Sequence, residues 1–434
     1  MEYLHIIPAK AGAVLEFLRC LEKTENLKAH KVLCLSPRVN AIKFVPEMLA
    51  FPFIEYMPAS GGRLATWKNE RRLRKRLERA DVLIWHTLPM SGQFFLPVLY
   101  WNPELCRRSV WIEDGADVES WAAPSNKRRK NKIDKMNRAV RRMIPIVGIP
   151  FEADRAYIAR LWPEKKIFLT PYPLKAEYAD RLAAIGEARQ PRQFAITDKW
   201  IAENEERLFF PWLEVLTEQT SEAGYVSDPK RETLEDPERS CYPEADEDDG
   251  VPHIQIGLNS QAFNKHINSI NALRGYCAAP IKCFLPMNYI LEKLALDQGG
   301  KVYRDNVSKA CEGFEDRFTV LNANVSSEQF FAYLSRLDAA VLGNSCSVVI
   351  QYLLMLLKAG VKTYLPAQSV VFSYLKEIGA PVFALETVGS ISLSDLVTME
   401  KAPLPPCLDV YFDPDAVMDL WKKLFRACQG GRAR

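Results

Sequence analysis

The sequence lacks any uninterrupted apolar run near the roughly 18 residues that identify a membrane-spanning helix. Its beginning also lacks the pattern of a secretory leader, because residues 1–5 have no basic lead and Glu16 interrupts the apolar stretch that follows. We therefore expect a cytoplasmic protein. With 434 residues, of which 48% are hydrophobic, the chain can bury two sizeable cores.

Paired cysteines and simple metal or phosphate motifs are missing as well. The ten cysteines are scattered without a Cys-x-x-Cys pair, which favours reduced thiols in the core. The sequence contains neither a Walker loop nor a His-x-x-x-His pair. The acidic run Asp246-Glu-Asp-Asp249 has no accompanying histidine, so we interpret it as a solvated loop. We expect no metal ion and no separate cofactor.

What the chain does have is a regular alternation of short apolar runs with helical patterns. Such alternation predicts parallel sheets covered by helices on both faces, with strands that include Ser109–Ile112, Lys166–Leu169 and His253–Ile256. Asp413-Pro414 is predicted to start a C-terminal helix by a cap and a first-turn proline. Residues 219–250 are instead acidic, spaced by prolines and poor in apolar side chains, which is typical of a linker or insertion. The predicted organisation is a first domain over 1–185, a helical and acidic linker over 186–250, a second domain over 251–405, and a C-terminal helical segment over 406–434.

Three loops in the second half each follow an apolar run that has the length of a buried strand. Because the carboxyl ends of parallel strands meet at one sheet edge, these loops are predicted to gather there, where open α/β sheets bind ligands. Their polar and ring-bearing residues are the candidate contacts to a nucleotide diphosphate: Asn259, Ser260, Asn264, His266, Pro286, Met287, Tyr289, Asn344, Ser345, Ser347 and Gln351.

The third loop has the simplest chemistry. Ser345 or Ser347 can cap a helix over 348–358 that Gly360 closes, and the amides at such a helix start suit a diphosphate. The same pattern also fits an ordinary capped helix. Similar alternatives stay open elsewhere: His266 as a phosphate donor or a surface histidine, Tyr289 as a base-stacking ring or a core residue, and Gln351 as a ligand or a plain helix residue.

Several of these motifs resemble those of a known family. The order Asn259-Ser260, Asn264-Lys-His266, Pro286-Met-Asn-Tyr289 and Phe331–Asp338 resembles the lipid II 4-acetamido-4,6-dideoxygalactose (N-acetylfucosamine) transferases of enterobacterial common antigen synthesis. The first half is similar at Trp85-His86, at Trp111 with Gly115-Ala-Asp117, and in an arginine-rich helix before Val147-Gly148. The resemblance is collinear and covers most of the chain outside roughly 197–250.

The resemblance implies a fold of glycosyltransferase-B type, with two Rossmann-like doubly wound parallel-sheet domains facing a cleft and a C-terminal crossover helix. It also implies a nucleotide-sugar donor and a polyprenyl-diphosphate-linked glycan acceptor. The chain departs from the family at two places. Gly343-Asn-Ser-Cys-Ser-Val-Val349 stands where the family carries Arg-Gln-Gln-Gly-x-Gly-Thr, and Ile112-Glu113-Asp114 stands where it carries His-x-Trp.

Acidic side chains at a strand end are the candidates for a catalytic base. Glu113, Asp114 and Asp117 follow the strand at Ser109–Ile112, and His86 ends another strand. Clustered carboxylates can raise one another's pKa toward neutrality, which suits a base for an acceptor hydroxyl. Asp117 is the member in register with the family's Gly-Ala-Asp. The alternative is that these acids cap the following helix.

A net charge of +3 conceals a strongly basic first half, in which residues 127–142 hold nine lysines and arginines against one acid. Apolar residues recur there at helical spacing, so the stretch is predicted to be a basic amphipathic helix. Such a helix is attracted to anionic lipid headgroups; a plain solvated face is the alternative, and nucleic-acid binding is disfavoured because no aromatic residues are interleaved. The candidate membrane-surface residues are Arg128, Arg129, Lys132, Lys135, Arg138 and Arg142.

The sequence thus predicts a cytoplasmic glycosyltransferase, peripheral to the inner face of the membrane, that moves a deoxyamino-type sugar from a dTDP- or UDP-linked donor to a lipid-linked glycan. Two alternatives stay open. One is a transferase of the same fold that moves a different sugar for another surface polysaccharide. The other is a non-catalytic nucleotide-sugar-binding protein, which the altered loop at 343–349 motivates.

Overall fold

The computed structural model describes most of two α/β units. Their contacts group Met1–Ala179, Cys346–Ile350 and Pro406–Arg434 into a first unit, and Asp180–Ser345 and Gln351–Pro405 into a second. The described residues are 1–8, 12–23, 27–36, 54–58, 63–88, 95–113, 115, 128–189, 250–258, 264–286, 303, 306–314, 317–321, 327–344, 347, 350–399 and 402–430.

The first unit is built on a parallel sheet with strand order β3-β2-β1-β4-β5-β6-β7. The strand order reverses between β1 and β4, as in doubly wound folds. The strands are β1 (Tyr3–Pro8), β2 (His30–Ser36), β3 (Ile54–Pro58), β4 (Val82–His86), β5 (Ser109–Ile112), β6 (Ile146–Ile149) and β7 (Lys166–Leu169). The helices are α1 (Gly12–Glu22), α2 (Arg63–Arg79), α3 (Phe95–Tyr100), α4 (Pro103–Arg107), α5 (Arg128–Met143), α6 (Asp154–Leu161) and α7 (Ala176–Ala188).

The second unit repeats this plan with strand order β10-β9-β8-β11-β12-β13, again all parallel. Here the order reverses between β8 and β11. The strands are β8 (His253–Ile256), β9 (Lys282–Pro286), β10 (Phe318–Leu321), β11 (Ala339–Val341), β12 (Lys362–Leu365) and β13 (Val382–Ala384). The helices are α8 (His266–Ala272), α9 (Ser327–Arg336), α10 (Ile350–Lys358), α11 (Val370–Glu377), α12 (Leu393–Val397) and, in the first unit, α13 (Pro414–Gly430).

The two faces of the first sheet are covered by different helices. Apolar side chains of α1 and α13, among them Phe17 and Trp421, pack on one face. Helices α2 to α6 pack on the other face around Trp85 and Trp111. The central strands of this sheet are therefore buried from both sides, which explains why they read as apolar runs rather than as alternating patterns.

The predicted fold class is confirmed, since both sheets are parallel and carry helices between their strands. Several strands lie where the apolar runs predicted them, with identical bounds for β5, β7 and β8. Asp413 caps α13 as expected, because its Oδ1 accepts from the amide of Asp415 at 2.9 Å. The first segment of the first unit ends at Ala179, inside α7.

Helix α5 is the basic amphipathic helix that the sequence predicts. Lys135, Arg138 and Arg142 are exposed, whereas Arg141 is buried with its guanidinium 5.0 Å from the centre of the Trp111 ring. Arg128, Arg129 and Lys132 belong to the helix, but their side chains lie outside the described part. None of the helices within the described ranges is long and apolar enough to span a membrane.

Trp421 anchors α13 to the first unit. Its indole is fully buried, donates a hydrogen bond of 2.7 Å to the carbonyl of Pro171, and stacks on His86. Replacing a buried tryptophan by alanine costs about 3–5 kcal/mol. We predict that Trp421→Ala lowers the free energy of unfolding by that amount in chemical denaturation, and that Trp421→Phe, which keeps a ring but loses the hydrogen bond, loses clearly less. A loss below about 1 kcal/mol for Trp421→Ala would contradict this account.

Candidate functional site

A cavity of about 690 Å³ opens at the carboxyl edge of the second sheet. Its walls come from the segments that follow four neighbouring strands, β8, β11, β12 and β13, and the cavity therefore starts at the point where the strand order reverses. This is the place where open α/β sheets bind their ligands. The polar and charged residues of the lining are Lys265, Asn268, Asn271, Arg274, Gln368 and Glu386.

The lining combines positive charge with neutral amides. Lys265 and Arg274 supply two cations, and the amide side chains can both donate and accept hydrogen bonds. Its carboxylate, that of Glu386, is already engaged, because it accepts from the backbone amide of Ala367 at 3.0 Å. Leu385 and Pro366 add apolar surface. An anionic ligand with a flat polar group fits this chemistry.

The loop after β8 is held by a buried network. Gly257 has a positive φ of 70°, and a Cβ at this position would lie 2.4 Å from Nε2 of His266. Asn264 accepts from the amide of Leu258 at 3.0 Å, and His266 bonds the Tyr303 hydroxyl through Nδ1 at 2.8 Å. Both Asn264 and His266 are fully buried. The structure therefore places these two predicted ligands behind the cavity wall, where they shape the loop.

Gly343 follows β11, and its missing side chain lets the loop after β11 approach the loop after β8 closely. A Cβ at Gly343 would lie 2.7 Å from the carbonyl oxygen of Asn264 and 2.8 Å from that of Lys265. Lys265 itself has a positive φ of 47°, a conformation that non-glycine residues adopt rarely. Such conformations persist where the surroundings impose them and are enriched at ligand sites. The close approach brings the Lys265 side chain to the cavity.

The remaining predicted donor contacts are spread along the same edge. Pro286 ends β9, Asn344 is buried after β11, and Gln351 is half-buried on α10. The Ser347 side chain does not cap α10, because its buried hydroxyl has no hydrogen-bond partner among the described residues; its carbonyl accepts from the Ile350 amide at 3.0 Å. Asn259, Ser260, Met287, Tyr289 and Ser345 lie outside the described residues.

A buried carboxyl group that the sequence analysis missed lies beside Ser347. Asp154, at the start of α6, is 4% exposed and groups with Ser347 in the first unit. Burial raises the pKa of Asp154 to about 7, and the nearby hydroxyl of Ser347 opposes the shift without meeting the geometry of a full hydrogen bond. An aspartate at a helix start shortly after β6 was the available signal. Its pKa suits proton exchange near neutrality.

At the carboxyl edge of the first sheet, the structure describes one of the three predicted acids. Glu113 is fully buried directly after β5, its amide donates to the carbonyl of Gly148 at 2.8 Å, and its carboxylate accepts from the amide of Gly115. Asp114 and Asp117 lie outside the described residues. Both backbone and side chain of Glu113 are thus engaged with neighbouring backbone, and the base itself stays a prediction.

His86 lies at the point of strand reversal in the first sheet, but its side chain points under α13. Its ring is buried, and both ring nitrogens are hydrogen-bonded: Nε2 to Nδ1 of His5 at 3.0 Å and Nδ1 to the Tyr172 hydroxyl at 2.8 Å. His5 in turn meets Nδ1 of His30 through Nε2 at 2.9 Å. Three of the five histidines in the sequence thus form one buried chain.

Burial keeps this histidine chain neutral. It lowers the pKa of His30 to about 4 and that of His86 to about 3, and it lowers the pKa of His5 well below its ordinary value. Within the described ranges, no group of three or more His, Cys, Asp or Glu side chains is arranged to hold a metal ion.

Gly343→Ala tests the close approach of the two loops. The added methyl group would collide with backbone carbonyl oxygens, so we predict a loss of about 1–3 kcal/mol in the free energy of unfolding of the second unit. Gly389→Ala is the matched control at the same cavity, since its Cβ would lie 3.6 Å from the Ala272 oxygen. Equal behaviour of the two variants in chemical denaturation would contradict the proposed contact.

The histidine chain predicts acid lability. In the unfolded chain a histidine binds a proton below pH 6.5, whereas the buried rings stay neutral down to about pH 4 for His30 and about pH 3 for His86. The free energy of unfolding therefore decreases as the pH falls through that range, and the histidines do not affect it above pH 6.5. Each such histidine contributes about 1.4 kcal/mol per pH unit. The raised pKa of Asp154 has the opposite effect, because the folded state binds this proton more readily than the unfolded state and is stabilised as the pH falls. We predict that His30→Asn makes the pH dependence of unfolding between pH 6 and 4.5 shallower by up to that amount; an unchanged slope would contradict the assignment.

Comparison with known proteins finds likeness in structure but not in sequence. No known protein family matches the chain, and no curated protein matches it. It is similar to the Anabaena protein HepE in complex with UDP and glucose, with a TM-score of 0.57 and 10% identity over 98% of this chain and 100% of that one. Sucrose-phosphate synthase from Thermosynechococcus elongatus gives a TM-score of 0.56 and 11% identity over 99% and 100%. A glycosyltransferase from Rickettsia africae gives a TM-score of 0.54 and 8% identity over 99% of this chain and 98% of that one. These likenesses establish the fold, which is of glycosyltransferase-B type with two Rossmann-like units.

Proposed function

We propose that the chain is a glycosyltransferase that moves a deoxyamino-type sugar from a dTDP- or UDP-linked donor to a lipid-linked glycan acceptor in the synthesis of a cell-surface polysaccharide. The observation that carries this proposal is the cavity at the carboxyl edge of the second sheet. The fold supports it, because a protein of similar architecture was solved with UDP and glucose.

The lining of the cavity supports a nucleoside diphosphate as the donor's anionic part. Lys265 directly precedes α8 and Arg274 follows its last turn, and both offer positive charge to a diphosphate in the cavity. Arg274 is oriented by Asn271, whose side-chain oxygen accepts from its Nε at 3.0 Å. Asn268 and Gln368 can read the polar edge of a base or the hydroxyls of a sugar.

The surface of the first unit supports an acceptor held in a membrane. The exposed cations Lys135, Arg138 and Arg142 lie on one helix, and each basic residue near an anionic surface contributes about 1 kcal/mol of attraction. A polyprenyl-diphosphate-linked glycan lies at the membrane surface, where such a helix would hold the enzyme. We therefore place the protein on the inner face of the cytoplasmic membrane, with no role for nucleic acid.

The family resemblance refines this proposal to the N-acetylfucosamine transferases that act on lipid II, with Asp117 as the base. The altered loop at 343–349 favours a second candidate, a transferase of this fold for a different sugar. In this chain Gly343 serves the close approach to Asn264 and Lys265, so the loop has a structural role that the family's larger polar residues would not share. A nucleotide-sugar-binding protein without turnover is the third candidate.

Nucleotide binding is tested by thermal shift with dTDP, UDP and control nucleotides at millimolar concentration. A ligand at 100 times its Kd stabilises the folded state by about 2.7 kcal/mol, which moves the Tm by several degrees. We predict such a shift for dTDP or UDP and its reduction in Lys265→Asn, since asparagine tolerates the positive φ but lacks the charge. Lys376→Gln, an exposed lysine on α11, is the control and should respond as the unmodified protein does. No response to either nucleotide would contradict the proposal.

Turnover is tested separately, by incubating membranes with a radiolabelled nucleotide sugar and extracting lipid. Label in the lipid fraction identifies an enzyme, and nucleotide binding without labelled lipid for any donor identifies the non-catalytic candidate. Since the catalytic base is sought at the first sheet and the donor at the second, we expect Asp117→Asn to abolish labelling while the nucleotide-induced shift of the Tm is retained.

A further inference from the structure

The helices on the two faces of the first sheet differ in the charge that they expose. On α2 to α6, here called the basic layer, the described side chains that are exposed include ten lysines and arginines and two acids; five of the basic residues lie on α2, one on α4, three on α5 and one on α6. On α1 and α13, which cover the opposite face, three basic and three acidic side chains are exposed. The excess of positive charge therefore lies on one face of the sheet.

The two exposed acids of the basic layer offset only part of this charge. Glu78 is paired with Arg74 at 2.7 Å, and Glu104 is paired with Arg107, each on its own helix. An excess of eight basic side chains remains at the surface of the layer. Charges of one sign that are spread over a face attract an extended surface of the opposite sign, and a bilayer with anionic headgroups is such a surface.

A tryptophan projects from the same layer. Trp101 lies between α3 and α4 and is 74% exposed, the largest exposed fraction of any large hydrophobic side chain in the described ranges. Its ring meets Tyr100 edge-on at a centroid distance of 4.9 Å, and its indole N–H donates to no described residue. Leu161, the last residue of α6, is also exposed, whereas the described side chains of α1 and α13 include no exposed large hydrophobic residue. The exposed apolar surface of these helices thus lies on the basic face as well.

The backbone holds Trp101 in a fixed position. Its amide donates to the Pro97 carbonyl at 3.0 Å, and the side chain of the next residue, Asn102, donates to the Val98 carbonyl at 2.6 Å. Leu99, two residues earlier, is fully buried in the core beneath the layer. Keeping so large an apolar ring in water is unfavourable. Because the backbone at Trp101 is already ordered, insertion of the indole into another medium costs little additional entropy.

One amphipathic ring among many cations is typical of a surface that binds membranes. Tryptophan is enriched at the boundary between headgroups and hydrocarbon, where its ring is in apolar surroundings and its N–H stays wet. Binding of single-stranded nucleic acid instead uses successive aromatic rings along a basic groove. Among the described aromatic side chains of the basic layer, Trp101 alone is exposed. The chemistry of this face therefore favours a bilayer over a nucleic acid.

We propose that the protein docks on an anionic bilayer through the basic layer and that Trp101 is the anchor, with its indole inserted among the headgroups. This inference rests on the proposed function, which requires an acceptor at the membrane; it adds the docking face and the residue that enters the lipid. The exposed cations of α2 and α5 contact the headgroup phosphates, and α1 and α13 face away from the membrane.

Vesicle binding tests the anchor without any substrate. The full chain is sedimented with vesicles of phosphatidylcholine alone and of phosphatidylcholine with phosphatidylglycerol. We expect binding to the anionic vesicles only, and we expect Trp101→Ala to weaken it about 10-fold or more, because the variant loses the apolar area of one tryptophan ring. Trp101→Phe, which keeps an aromatic ring, should retain much of the affinity. Since Trp101 is exposed, both variants should unfold like the unmodified protein in chemical denaturation.

Lipids that are brominated on their acyl chains report the insertion itself, because bromine quenches tryptophan fluorescence at close range. Trp85, Trp111, Trp162 and Trp421 are at most 7% exposed and should be unaffected. At saturating vesicle concentration, quenching by brominated phosphatidylglycerol should therefore be clearly smaller in Trp101→Phe than in the unmodified protein. Equal quenching of the two proteins would overturn the assignment of Trp101 as the anchor.

A matched pair of double variants tests which face docks. Lys135→Gln with Arg142→Gln removes two exposed charges from α5, and Lys423→Gln with Arg426→Gln removes two exposed charges from α13. We expect binding to anionic vesicles to weaken by roughly 10- to 30-fold in the α5 variant, at about fivefold per charge, and by less than about twofold in the α13 variant. Equal losses in the two variants would show a dependence on net charge rather than on one face, and would overturn the proposal.

Other outcomes identify other partners. Unchanged vesicle binding by Trp101→Ala together with a smaller oligomer in ultracentrifugation would assign Trp101 to a contact between copies of the chain, and retention by single-stranded RNA but not by vesicles would assign the basic layer to nucleic acid; either result overturns the proposal. No binding to anionic vesicles with an intact nucleotide-induced shift of the Tm would overturn this inference and leave the proposed donor site. Vesicle binding without any nucleotide response would count against the proposed function instead.

Discussion

The reversal of strand order between β8 and β11 is the constraint on which the candidate site depends. Helices on either side of this point diverge, so the chain leaves a crevice at the carboxyl edge that no side chain of the sheet can fill. The two loops that flank the crevice meet through Gly343, whose missing Cβ lets the carbonyl oxygens of Asn264 and Lys265 approach. Lys265 is thereby held in a left-handed conformation with its charge at the cavity. The strand order leaves space for a ligand, and the contact at Gly343 places the charge of Lys265 beside that space.

The first unit uses the same topology for a different purpose. His86 sits at the corresponding reversal between β1 and β4, but its ring lies beneath α13, where Trp421 and Tyr172 each stack on it. Three histidines in one core form a stable arrangement only while all are neutral, because an imidazolium there would be desolvated beside two other rings. Hydrogen bonds satisfy both ring nitrogens of His5 and His86 and Nδ1 of His30. A polar chain in this core thus helps to specify the position of α13.

The fold was largely predictable because its strands are buried from both sides and read as apolar runs between helical patterns. The runs at β5, β7 and β8 gave correct bounds, whereas β12 and β13 were not predicted, since Lys362–Leu365 is half polar and Val382–Ala384 has only three residues. The candidate site was less predictable. Sequence order placed Lys265 next to His266, but the role of its charge depends on a positive φ and on Gly343, which follow from tertiary contact. Asp154 likewise gains its raised pKa only from burial.

The central claim is that the carboxyl edge of the second sheet binds the nucleoside diphosphate of the donor. Hydrogen–deuterium exchange of the full chain with and without saturating dTDP or UDP tests it most directly, because it reports where the ligand binds without requiring an acceptor. The account predicts slowed amide exchange over residues 264–276 and 385–390, which line the cavity, and little change in α1 and α13. Protection confined to the first unit, or protection in neither unit despite measurable binding, would contradict it.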